Sequence, residues 1–123
     1  SGMTHSAAMA AEILAGKVDA IYTPIDNSIA SAMTVLSEVG KETKVPVYVG
    51  AHSMVMDGAY ATVGINYEDL GRQTGDMVAE VLNGKAIRDL PVATLSEFQK
   101  VINKTTAKAI GAPETSEGAL MVE

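Results

Sequence analysis

The sequence predicts an α/β fold in which a mostly parallel sheet is flanked by helices. Three observations carry this expectation. First, VDAIYT at 18–23, VPVYVG at 45–50 and ATVGI at 61–65 are short, apolar and partly β-branched, the pattern of strands buried in a parallel sheet. Second, longer segments with helical spacing alternate with them, as strand-helix units require. Third, 123 residues with 47% hydrophobic and 20% charged side chains give one compact domain with a real core.

The elements follow in order. SAAMAAEIL at 6–14 is Ala-rich, sets Met9 and Ile13 one turn apart and is stopped by Gly16, so a helix is expected. The strand at 18–23 ends at Pro24. Asp26, Asn27 and Ser28 are all candidate N-caps, and Ile29, Ala32, Met33 and Leu36 recur at i, i+3, i+4 and i+7, which predicts a helix to residue 39. Gly40 and a polar GKETK stretch close it. The second strand, 45–50, carries Pro46 near its start.

Residues 54–58 read as a short helix or turn, and the third strand at 61–65 is weakened by Gly64. From 67 to 83, Leu70, Thr74, Met77, Val78, Val81 and Leu82 outline a helix. Glu68 and Asp69 complement its positive end, and Gly84 stops it. Gly71 and Gly75, four apart, suggest close packing of this helix on the sheet. VATL and FQKVIN are two short extended candidates within 90–103. A last helix at 104–110 ends at Gly111 and Pro113, and the Gly-, Glu- and Ser-rich tail beyond is expected to be mobile.

Charge and composition remove several functions. Fifteen acidic and nine basic residues give a net charge of −6, which repels a phosphate backbone, and four Tyr with one Phe make no base-stacking surface, so nucleic acid is not expected as a partner. The absence of Cys removes disulfides, thiolate metal sites and a cysteine nucleophile. With two His and no ligand spacing, neither a metal nor a cofactor is expected. No phosphate loop, GxGxxG, GxSxG or HExxH motif is present, so no enzymatic role is expected. The seven Met read as core filler.

Ligands in parallel sheets bind beyond the carboxyl ends of the strands, which directs attention to 23–28, 50–53 and 64–67. Asp26 and Asn27 open a helix there. A carboxylate can pair with a cationic group and free helix N–H groups with an anionic one, so a zwitterion suits both. Equally, Asn27 can be a simple N-cap and Asp26 a turn residue after Pro24. His52 and Ser53 offer hydrogen bonds at the second strand end, or form a solvated loop. Asn66 and Tyr67 follow the third strand, where Asn66 also suits a helix cap.

Three separated stretches, VDAIYTPIDNSIASAM, VPVYVGAHSMVMDGAYATVGINYEDLGRQTGDMVAEVLNGK and VINKTTAKAIG, resemble in order and spacing the C-terminal half of ABC-transporter substrate-binding proteins related to tryptophan and tyrosine uptake. The resemblance covers nearly all of 11–111. It implies the periplasmic-binding-protein-like, flavodoxin-like class of α/β fold, with two lobes that trap a small solute between them and deliver it to an ABC permease. The implied ligand is amino-acid-like, and the implied location is extracytoplasmic, either periplasmic or as a membrane-anchored lipoprotein.

The family's T-D-N strand end is matched by Thr23-Pro24-Ile25-Asp26-Asn27, and the ligand-binding set implied is Thr23, Asp26, Asn27, Ser28, His52 and Ser53. Where relatives often carry Gly-Glu, this chain has Gly50-Ala51-His52-Ser53, which puts the aromatic preference in question. The resemblance assigns 6–57 to one lobe, 58–88 to the other, 89–112 to a hinge crossover and closing segment, and 113–123 to a tail. A complete member is more than twice this length, so the chain is expected to be a fragment with an uncovered apolar face that homodimerisation would bury. The competing expectation is a flavodoxin-like signalling domain or small α/β enzyme, which needs an acidic cluster at the strand ends; only Asp26 is found there.

Overall fold

The structure, a computed structural model, describes residues 2–123. Five strands form one sheet in the order β1-β2-β3-β4-β5: β1 Ile21–Thr23, β2 Val47–Ala51, β3 Ala61–Ile65, β4 Gln99–Asn103 and β5 Ala119–Val122. Three of the four ladders are parallel and only β3–β4 is antiparallel. The helices are α1 Gly2–Ala15, α2 Asn27–Ser31, α3 Met33–Thr43, α4 His52–Met56, α5 Tyr67–Leu82 and α6 Lys104–Ile110. The expected α/β class is therefore present.

Alternation along the strands gives the sheet two unequal faces. Val47, Val49 and Val101 point to the face covered by helices, where they join Met33, Leu36, Val39, Met54 and Val55 in the main core. On the other face, Tyr22, Tyr48, Ala61, Ile102 and Met121 stand side by side in register. Ala61 and Ile102 are buried there with Tyr60, Ala107 and Ile110, but Tyr22 and Val63 are more than 60% exposed. Of the methionines, Met33 and Met54 fill the core while Met9, Met56 and Met121 are exposed.

Several boundaries differ from the expectation. Only Ile21–Thr23 of the 18–23 run is strand, because β2 starts at Val47 and the Ile21 N–H is the first to reach it, bonding the Pro46 carbonyl at 2.9 Å. The helix expected as continuous to 39 is divided at Ala32: the Ala32 N–H turns back to Ile29, and Ser31 Oγ donates to the Asn27 carbonyl at 2.8 Å. Such local bonds compete with regular helix. VATL forms no strand, and Val92 is almost wholly exposed.

The tail expected to be mobile instead supplies β5, which pairs in parallel with β4 through the crossover helix α6. Gly118 turns it into the sheet with a φ of 75°. Gly71 and Gly75 face open space, with nothing within 4 Å of where a Cβ would stand, so they do not mediate close packing. No residue of α5 is buried. Residues 58–65, which the resemblance groups with 66–88 in a second lobe, include β3 and hydrogen-bond to β2 in the same sheet.

A buried polar junction fixes the core to α6. Asn103 is 4% exposed; its amide donates to the Val55 carbonyl at 3.0 Å, and its Oδ1 caps α6 by accepting from the Thr106 N–H at 3.0 Å. Thr106 Oγ1 donates to the Gly58 carbonyl at 2.8 Å. Tyr60 donates its hydroxyl to the Pro113 carbonyl, tying down the segment that leads to β5. Among the described residues no helix is long and apolar enough to cross a membrane.

Candidate functional site

The carboxyl ends of β1, β2 and β3 lie along one edge of the sheet, since Thr23 is in register with Val49 and Ala51 with Ile65. The turns that leave them are thereby juxtaposed. Thr23, Asp26, Asn27 and Ser28 lie on the turn from β1 into α2; His52 and Ser53 open α4 directly after β2; Asn66 and Tyr67 open α5 after β3. The structure brings these sequence-selected residues to one edge in two adjacent groups with a third beside them.

Asp26, not Asn27, is the N-cap. Its Oδ1 accepts from Ser28 N–H at 2.8 Å and from Ile29 N–H at 3.2 Å, with Asp26 itself in extended backbone. This is what a short polar side chain does after a strand ending in proline. One oxygen takes both bonds, and among the described residues Oδ2 takes none. Asp26 and Asn27 are exposed and Ser28 is half-buried. Thr23 differs: its side chain is buried, and among the described residues Oγ1 has no hydrogen-bond partner. Asn66 is also a cap, accepting from Glu68 and Asp69 N–H, while its amide donates to Gln99 Oε1 at 3.4 Å.

His52 is half-buried and Ser53 exposed, and among the described residues no side chain caps α4. The site is shaped by two glycines that sequence reading undervalued. A Cβ on Gly64 would stand 2.5 Å from the Gly50 carbonyl oxygen, and a Cβ on Gly50 would stand 2.6 Å from Cγ1 of Ile25. Gly64 thus permits the close approach of β2 and β3 at the irregular pairing between Val49 and Ala51, and Gly50 lets the β1–α2 turn settle on the end of β2. A strand glycine signals such an approach as readily as it signals weakness, and that was the clue available.

Concavities are found away from this edge. One of about 360 Å³ is an apolar groove lined by Met77, Val78, Val81, Leu82, Ile87 and Leu90 on and beside α5. The strand-end edge carries the exposed polar side chains of Asp26, Asn27 and Ser53, which can orient a charged small molecule. Among the described residues no three His, Asp or Glu side chains are grouped to hold a metal ion.

A family model described as ABC transporter substrate binding protein matches residues 3–119. The chain belongs to this family. Its similarity to the tyrosine-binding protein of Clostridioides difficile (strain R20291) is 44% identity over 97 residues, 79% of this chain and 28% of that protein.

Among solved structures, the ligand-free, open form of a substrate-binding protein with adhesive properties from Clostridium difficile covers 98% of this chain at 37% identity, with a TM-score of 0.81. An ABC domain in complex with L-Trp from Streptococcus pneumonia covers 98% at 36% identity, with a TM-score of 0.78. This chain spans 41% of the first of those substrate-binding protein structures and little more than a quarter of the curated relative.

Proposed function

We propose that the chain supplies one wall of an interlobe cleft that holds an amino-acid-like solute for an ABC importer, and that it performs no catalysis. The observation that carries this reading is the state of Asp26: one carboxylate oxygen builds the helix cap while the other is left at the exposed strand edge. That oxygen receives the solute's ammonium group. Asn27 and Ser28 beside it, with His52 and Ser53 on the neighbouring turn, supply hydrogen bonds to the carboxylate end. Thr23, buried at the end of β1, completes the set from within the strand. The family membership and the amino-acid ligands in the relatives' names favour this solute class.

The pairing of β3 with β2 in one sheet favours a division between lobes other than the 6–57 and 58–88 ranges that the resemblance implies. Residues 6–65 and 99–123 make one lobe, and α5 with the irregular 83–98 stretch lies against the other. The apolar groove of α5, where Leu82 is 81% exposed, is the surface that lobe would cover. When the groove is uncovered, self-association through it follows, and sedimentation would show a concentration-dependent rise in mass. An extracytoplasmic location and a permease partner accompany the reading.

One wall gives weak binding, because ligand pockets bury about 70–90% of a small molecule and an open edge does not. Titrating the chain with a panel of amino acids while following backbone amide resonances should give a Kd of about 1 mM or weaker, with shifts centred on Asp26–Ile29 and His52–Ser53. Submicromolar binding would contradict the need for a second wall, and silence at those amides would contradict the wall itself.

A further inference from the structure

We infer that Ile25 is a specificity-determining residue of this edge, the apolar surface against which the side chain of a bound amino acid packs. This rests on the reading of the strand ends as a solute-binding wall and goes beyond it, since it names which amino acids the wall prefers.

Ile25 stands between the two polar groups. It immediately precedes the Asp26 cap, and it is laid on Gly50, two residues before His52: a Cβ at Gly50 would meet Ile25 Cγ1 at 2.6 Å and the Ile25 backbone nitrogen at 3.3 Å. A Cβ on Gly64 would in turn stand 2.5 Å from the Gly50 carbonyl oxygen, so β3 also lies close to Gly50. The missing side chain of Gly50 is thus where one β-branched side chain is seated.

The fold does little else with that side chain. It is 49% exposed and belongs to neither core cluster. A hydrophobic staple would pair the residue before an N-cap with the fourth helical residue, but that residue is Ala30, which offers a single methyl. A β-branched side chain held on a backbone has few rotamers to lose, so contact with a ligand costs little ordering. The arrangement of a carboxylate oxygen, then a fixed apolar surface, then an imidazole and a hydroxyl fits an amino acid with an aliphatic or aromatic side chain. Glycine, serine and aspartate leave the apolar surface unused.

The test is a titration of the isotopically labelled chain with L-Leu, L-Trp, Gly and L-Ser, reading the Ile25 Cδ1 methyl together with the Ser28 and Ile29 amides. L-Leu and L-Trp are expected to shift the Ile25 methyl and to bind about five-fold more tightly than Gly or L-Ser, the share of half an isoleucine's burial. Ile25→Ser removes that preference and Ile25→Val keeps it. Gly50→Ala, which displaces Ile25 without changing it, removes the preference too. Amide shifts without a methyl response, or a preference that survives Ile25→Ser, would overturn the role of Ile25 while the wall stands. No response at any of these signals would overturn the wall and this inference with it.

Discussion

Asp26 holds the backbone N–H of Ser28 at 2.8 Å through Oδ1, the same oxygen that reaches Ile29, so the structural work of this carboxylate is confined to one atom. The cap and the exposed charge are therefore separable by substitution.

Asp26→Ala removes the cap and leaves two N–H groups at the start of α2 to water. We expect a loss of about 1 kcal/mol of folding stability, read as a lower urea midpoint with an unchanged slope.

Gly64→Ala is expected to cost more. Its Cβ would fall 2.5 Å from the Gly50 carbonyl oxygen, which is backbone and cannot step aside as a side chain can. Overpacking of this kind costs about 1–3 kcal/mol. In Gly50→Ala the obstacle is mainly the Ile25 side chain, so the smaller loss is expected there. Parallel denaturation of the two variants checks the ranking.

Asn103→Ala takes two partners away at once. The Val55 carbonyl loses its donor and α6 its cap, both in a buried setting. A loss of about 2–4 kcal/mol is expected, with hydrogen exchange accelerated in α6 and β5 before the rest of the sheet.

Tyr60 makes stability fall at alkaline pH. Burial, and secondarily the nearby Tyr48, raises its phenol above the ordinary value of 10.0. Below that value both folded and unfolded chains keep the proton. Above it the unfolded chain releases the proton first, so stability declines as pH rises toward the folded value. Ultraviolet titration should show one of the four tyrosines ionising late, and Tyr60→Phe should abolish that late step. The same variant loses the Pro113 hydrogen bond, a cost of about 1 kcal/mol.

Local pattern made some of this fold legible. The third strand at 61–65 agrees with its expected range despite Gly64, and the last helix agrees near 104–110, where Gly111 and Pro113 punctuate its end. The β5 strand was not legible, since ALMV gains its meaning only from a parallel neighbour 19 residues earlier in register. The break at Ala32 was hidden because the apolar spacing of Ile29, Ala32, Met33 and Leu36 runs through it unchanged. At the site, the sequence offers Asp26, Asn27 and Ser28 alike as N-caps and does not choose among them; the structure gives the cap to Asp26. Gly64 reads in the sequence as a weakness where the structure uses its missing side chain. A close approach between strands involves residues distant in sequence, and a single sequence does not show them together.

Asp26→Asn tests the central claim most directly, because asparagine caps helices about as well as aspartate but carries no charge and would turn an amide toward the solute. Stability and amino-acid affinity measured on the same samples should separate: an unchanged urea midpoint with about a tenfold or greater loss of affinity, the share of one charge-assisted bond. Unchanged affinity in a fully folded Asp26→Asn chain would contradict the assignment of this strand end as the solute-binding wall.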